Sequence, residues 1–221
     1  MNRLAVFDCD GTLVDSGGAI YAALVRTFDE HRREVPTPEV GQRVIGLSLV
    51  EAMAGVAPEA EFDECIALAE TYKRHFAAAR IAGEVEEPLF PGVLELLDAL
   101  ESEGWLLAVA TGKSDRGLRH CLDTHGIHAR FVSLQTGDRH PSKPHPSMIE
   151  LAMAEAGSDP SRTMMIGDTT FDMLMGQAAN TLPIGVAWGY HGRDELIAAG
   201  AAAVVERPMD IAELARTRID A

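Results

Sequence analysis

Short apolar runs that recur along the chain constrain its fold more than any other feature. They lie at residues 4–7, 105–110, 131–134, 163–166, 183–187 and 203–205. Each is apolar at odd and even positions alike, as a strand must be when both faces of its sheet are covered. Helical stretches separate them. Residues 92–103 carry apolar side chains at 93, 94, 96, 97 and 100 and stop at Gly104, while 114–125 stops at Gly126 and 146–156 at Gly157. A glycine just past a helix is its usual left-handed cap. Strand alternating with helix predicts an α/β fold with a Rossmann-like parallel sheet.

One interval breaks the rhythm. Residues 16–85 contain no strand signal but several helix signals: Thr37-Pro38 as cap and first turn, Ser48 and Glu51 at capping-box spacing, and a long helix near 62–82. Glu86-Glu87-Pro88 reads as a return linker. The expected organisation is therefore an α/β core of residues 1–15 and 86–221 carrying a small all-helical insert at 16–85.

Composition removes several classes. Acidic side chains number 34 against 19 basic ones, a net charge of −15 over 221 residues, which argues against a nucleic-acid or anionic membrane surface. The three cysteines, Cys9, Cys65 and Cys121, show no CxxC spacing and suggest neither a disulfide framework nor a zinc site. The N-terminal apolar stretch runs into two aspartates before it can serve as a signal sequence, and no run approaches the roughly 18 residues of a spanning helix. A cytoplasmic protein without membrane contact is expected; monomer and homodimer stay equally open.

The residues with chemistry sit where the apolar runs end. The first leads into Asp8-Cys9-Asp10-Gly11-Thr12, the second into Thr111-Gly112-Lys113, and the fourth into Gly167-Asp168-Thr169-Thr170-Phe171-Asp172. Period two puts Asp8 and Asp10 on one side of an extended chain, and Gly11 allows a sharp turn. In open parallel sheets, ligands bind beyond the carboxyl ends of the strands where strand order reverses. Adjacency of the first, second and fourth strands would gather Asp8, Asp10, Asp168, Asp172 and Thr111. Such a cluster demands a counter-cation, and hard oxygen ligands suit Mg²⁺. Lys143 is a candidate fixed positive charge. A carboxylate can attack phosphorus, and a second one can move the leaving group's proton.

Two other site types fail on spacing. A calcium loop wants glycine at its sixth position and Glu at its twelfth, but here Gly11 is fourth and Ala19 twelfth. A P-loop needs a glycine where Leu107 stands.

DCDGTLVDS, TGK, KP and GDTTFD, in this order, resemble the four motifs of the haloacid-dehalogenase-like hydrolase superfamily. The resemblance implies Asp8 as nucleophile and Asp10 as general acid/base. Thr111 would bind the phosphoryl group, and Lys143 would stabilise it and orient Asp8. Mg²⁺ would be held by Asp8, Asp168 and the main-chain carbonyl of Asp10, with Asp172 partnering the metal's waters or Lys143. Gly11 and Gly112 would add phosphate contacts, and the helical insert would be a cap that closes over the site. For Lys113, a substrate contact and a solvated charge are equally open; for Gly46, so are the cap's closest approach and a plain inter-helix turn. Cys9 is expected to be buried and inert. Trp188 and Tyr190 are expected to pack beneath the core, and His140 and His145 to lie on a loop.

The tail at 184–190, with Glu195-Leu196 and Ala199-Gly200-Ala201, is similar to the phosphoglycolate phosphatase group. It departs at Ala179-Asn180, where relatives carry Ala-Gly; Asn also tolerates the left-handed cap. The implied substrate is a small phosphorylated metabolite, a phosphoglycolate-like organic phosphate monoester. A phosphomutase of the same fold is the alternative, and a non-catalytic binding module a weaker one. Asp10 disfavours a dehalogenase, which has no need of a second aspartate.

Overall fold

All six apolar runs are strands of one sheet, and every pairing in it is parallel. The structure is a computed structural model and describes residues 1–218. Its strands are β1 (Arg3–Phe7), β2 (Trp105–Thr111), β3 (Phe131–Thr136), β4 (Thr163–Gly167), β5 (Leu182–Val186) and β6 (Ala203–Val205). They lie in the order β3-β2-β1-β4-β5-β6, so the chain winds outward from β1 and then returns to its other side at β4. β1 is thus flanked by β2 and β4, and strand order reverses at its carboxyl end.

Helices cover both faces. The odd residues Ala5, Phe7 and Cys9 join a core with α5 (Val93–Ser102), α6 (Asp115–Thr124) and α10 (Pro208–Arg218). Leu4 and Val6 face the opposite core, built with α7 (Ser147–Ala156) and α8 (Thr170–Ala178). β5 starts one residue earlier than expected. Asn180 completes the preceding turn in the left-handed region at φ 57°, which frees Leu182 to pair with Met164.

Between β1 and α5 lie α1 (Gly17–Glu30), α2 (Pro38–Gln42), α3 (Leu49–Val56) and α4 (Phe62–Ile81), with a core of their own around Leu24, Phe28, Met53 and Leu68. The two crossings into this insert run side by side: the Asp15 amide donates to the Pro88 carbonyl at 2.8 Å, and the Phe90 amide to that of Leu13 at 3.0 Å. The capping box expected at Ser48 is not formed. Ser48 does begin α3, but its hydroxyl donates to the Glu51 carboxylate. No helix among the described residues is long and apolar enough to cross a membrane.

Candidate active site

Three carboxylates meet beyond β1 and β4. Asp8 and Asp168 each follow the last residue of a strand, and Asp172 lies in the first turn of α8. One oxygen from each falls within 4.8 Å of the others, and all three residues are fully buried. Thr169 and Asp172 form the capping box of α8: the Thr169 amide donates to Asp172 Oδ2 at 3.0 Å, and the Asp172 amide to the Thr169 hydroxyl at 3.3 Å. Asp172 is therefore a helix cap and a member of the cluster at once.

Among the described residues a single ammonium stands against these charges. Lys143 Nζ lies 2.8 Å from Asp8 Oδ1 and 2.7 Å from Asp172 Oδ1, with all three side chains shut off from solvent. The Cys9 amide also donates to Asp8 Oδ1, at 2.7 Å. Asp168 is held by the Thr12 hydroxyl at 2.8 Å and the Tyr190 amide at 2.9 Å. Asp8 Oδ2 is buried and has no partner.

Like charges at such spacing repel by about 3–4 kcal/mol per pair at an effective dielectric near 20. One lysine cannot balance three carboxylates. Burial, reinforced by Asp172 and Asp10 and opposed by Lys143, lifts Asp8 to about 7. Burial, Asp172 and Asp8 together push Asp168 well above the carboxylate range. Burial would depress the Lys143 ammonium, but Asp172 and Asp8 outweigh it and hold the proton more firmly than usual. The cluster thus has the character of a divalent-cation site: hard oxygens, excess negative charge and one orphaned carboxylate oxygen. Asp172 directs one oxygen to Lys143 and the other to Thr169, both Asp168 oxygens accept hydrogen bonds, and only Asp8 Oδ2 of the three carboxylates has no partner to give up to a cation.

Asp10 belongs to a different set of contacts. Period two would set both aspartates on one side of an extended chain, but β1 ends at Phe7, so residues 8–10 are not strand, and the two have no partner in common. The Asp10 carboxylate accepts from the Ser16 hydroxyl and pairs with Lys113 Nζ at 2.7 Å. Lys113 also reaches Glu87 Oε1 at 2.7 Å and is only 9% exposed. It is thus neither solvated nor unpaired. Glu87 and Ser16 escaped the sequence reading because they appeared only as linker and boundary residues.

Other expected residues crowd the same place. Thr111 ends β2, buried, and its hydroxyl accepts from the Lys113 amide at 3.2 Å. Gly11 turns at φ 82°, and a side chain there would run into the Asp168 carboxylate. A side chain at Gly112 would strike the main-chain oxygens of Gly46 and Leu47 from the insert. Gly46 itself, at φ 98°, sits where a Cβ would lie 3.4 Å from Thr169 Oγ1 and 3.8 Å from Asp8 Oδ2.

Cys9 is buried in the core with Cys121, whose hydrogen bond, together with burial, pushes its thiol far up. Trp188 packs on the core edge and donates to the Thr12 carbonyl at 3.1 Å. Tyr190 contributes its amide to Asp168, a role carried by the main chain and invisible in residue type. His140 bonds Ser147 and Gln135, and His145 the Ser147 amide, on the loop before α7.

Comparison with known proteins bears on this arrangement. The profile of the haloacid dehalogenase-like hydrolase family matches residues 5–186. A protein of Dickeya dadantii named Probable phosphatase IndB is 34% identical over 93% of this chain and 90% of its own length. Pyrophosphatase PpaX of Bacillus pumilus is 32% identical over 86% of each chain. Phosphoglycolate phosphatase of Pseudomonas putida is also 32% identical, over 86% of this chain and 72% of its own. A solved haloacid dehalogenase-like hydrolase from Bacteroides fragilis shares the fold with a TM-score of 0.87 at 23% identity, covering 96% of this chain and all of that one. With the acidic cluster at the strand-order reversal and a family match over most of its length, the chain belongs to the haloacid dehalogenase-like hydrolases.

Proposed function

We propose that this protein is a magnesium-dependent phosphatase of the cytoplasm that hydrolyses a small organic phosphate monoester through a phosphorylated Asp8. The observation that carries this reading is Asp8 itself. One oxygen is fixed by Lys143 and a backbone amide, the other has no partner, and Asp168 and Asp172 stand beside it.

The Asp8 carboxylate attacks phosphorus while the bond from phosphorus to the leaving oxygen breaks, and Asp10 delivers a proton to the departing alkoxide. Water then attacks the phosphorylated Asp8 and yields its proton to Asp10. The bond from phosphorus to Asp8 breaks, and inorganic phosphate leaves. Lys143, the Thr111 hydroxyl and main-chain amides near Gly11 and Gly112 offset charge on the transferring oxygens, which is the greater part of catalysis in phosphoryl transfer. Asp8, Asp168 and the Asp10 carbonyl would hold Mg²⁺, which would supply the remaining positive charge. We assign Lys113 to positioning Asp10, because its ammonium bridges Asp10 and Glu87. Residues 16–85 form the cap, and Gly46, where a Cβ would lie 3.8 Å from Asp8 Oδ2, is its approach to the substrate.

The test is phosphate release from p-nitrophenyl phosphate with and without Mg²⁺, beside Asp8→Asn. Magnesium-dependent release that disappears in the variant is expected. A folded protein that releases nothing in the presence of Mg²⁺ sinks the reading, and sugar-phosphate isomerisation by that protein would mark it as a mutase.

A further inference from the structure

A cavity of about 790 Å³ separates the helical insert from the sheet. Of the four carboxylates at the reactive centre, only Asp10 lines it, so the space lies on the side from which a leaving group is protonated. A two-carbon hydroxy acid, with five heavy atoms, fills about 150 Å³ on the ~30 Å³ scale of a water molecule. The cavity is several times larger and falls in the range of sites for ligands of ten or more heavy atoms.

Its walls are mainly apolar. Leu24, Met53 and Leu49 come from α1 and α3, and Tyr72 and Phe76 of α4 stack with ring centroids 5.8 Å apart. Of its four lysines and arginines, three are already engaged. Lys73 pairs with Glu70 at 2.8 Å, Arg80 with Glu87 at 3.2 Å, and Lys113 with both Asp10 and Glu87 at 2.7 Å. Arg80 and Lys113 also lie over the Phe76 ring, 4.9 and 5.9 Å from its centroid. Arg116, the remaining lining arginine, is exposed on α6. Elsewhere in the insert, Arg26 pairs with Glu84 at 2.8 Å, Arg43 with Glu195 at 2.7 Å and Arg74 with Glu30 at 2.8 Å. A carboxylate on the leaving group would have to meet the exposed Arg116 or draw another arginine or lysine away from an existing partner.

From this we infer that the leaving group is an uncharged, largely apolar alcohol of about six carbons or more, alkyl or aryl, rather than the carboxylate-bearing two-carbon unit of phosphoglycolate. The inference rests on the phosphatase reading, since it assigns the alcohol side of the same ester.

Ethyl and hexyl phosphate decide it. Both release primary alkoxides of matched basicity, so a difference in kcat/KM reports contacts made by the chain and not leaving-group reactivity. Each methylene that enters an apolar site is worth about fourfold. Hexyl phosphate is expected to exceed ethyl phosphate at least tenfold, and to exceed phosphoglycolate as well. Phe76→Ala is expected to shrink the hexyl-to-ethyl ratio several-fold by removing the aromatic wall. Calorimetric binding of the two esters to Asp8→Asn with Mg²⁺ gives a second readout that needs no turnover, with hexyl phosphate again at least tenfold tighter. Phosphate release that favours phosphoglycolate, or that treats the two alkyl esters alike, overturns the inference and leaves the phosphatase reading standing. Failure to hydrolyse any ester, with hexyl phosphate still bound the more tightly, overturns the phosphatase reading and leaves the apolar site standing; equal binding removes the site.

Discussion

The Ser48 amide donates to the Ser142 hydroxyl at 2.8 Å, which ties the first turn of α3 in the insert to the residue immediately before Lys143. Ser142→Ala removes this tie without touching the acidic cluster. We expect kcat/KM to fall several-fold with little change in melting temperature, because the bond stabilises one arrangement of insert against core and contributes about 1 kcal/mol. An unchanged kcat/KM would show that this contact plays no part in turnover.

Gly112 is a second point of contact between the two parts. Its α-carbon faces the Gly46 and Leu47 carbonyls so closely that a methyl group has no room. Gly112→Ala should hold the insert away by a fraction of an ångström or more. Displacements near 1 Å can cost about a hundredfold in rate. Steady-state kinetics on a variant with a native circular dichroism spectrum checks this, and wild-type turnover would refute it.

Lys143 is the only cation touching Asp8 and Asp172 among the described residues. Removing one partner of a buried ion pair typically costs about 3–5 kcal/mol, which for a chain of this size lowers the melting temperature by about 10 °C. Lys143→Met should show that loss. Adding Asp172→Asn should restore part of the stability but none of the activity, since Asp8 would still lack its orienting partner. Thermal unfolding of the double variant distinguishes charge imbalance from lost packing.

Metal and pH are linked through the same cluster. Asp8 holds its proton up to about 7 in the metal-free folded chain, against an ordinary 3.8. The folded state therefore binds this proton more tightly than the unfolded chain. Its effect on stability is absent at low pH and grows unfavourable as pH rises across that window. A divalent cation needs the ionised form and competes with the proton. Millimolar Mg²⁺ should raise the melting temperature more at pH 8 than at pH 5.5. An equal shift at both would sink the assignment of the cation to this cluster.

The strands were legible because two-faced burial leaves a compositional mark, and the four aspartates because each closes such a run or follows one by a turn. Contacts across the fold leave no such mark. Glu87 meets Lys113 across 26 residues, and the Tyr190 amide reaches Asp168 with an atom that every residue except proline carries. Local rules failed where a tertiary partner competed. The Ser16 hydroxyl stands at the start of α1 but caps nothing, since the Asp10 carboxylate takes it. Asp8 and Asp10 part company for a similar reason: one is drawn toward Lys143, the other toward Lys113, and the strand that would have aligned them has already ended.

Ser16 and Glu87 stand at the two places where the chain passes between sheet and insert, and both hold Asp10, one directly and the other through Lys113. Asp8 is anchored wholly from the sheet side, by Lys143 and the neighbouring Cys9 amide. Asp10 is therefore tied to both crossings between sheet and insert, while Asp8 has no contact with either. The two aspartates thus answer to different parts of the molecule: a displacement at the crossings would reach Asp10 first, and on the proposed mechanism that is the group that carries the proton.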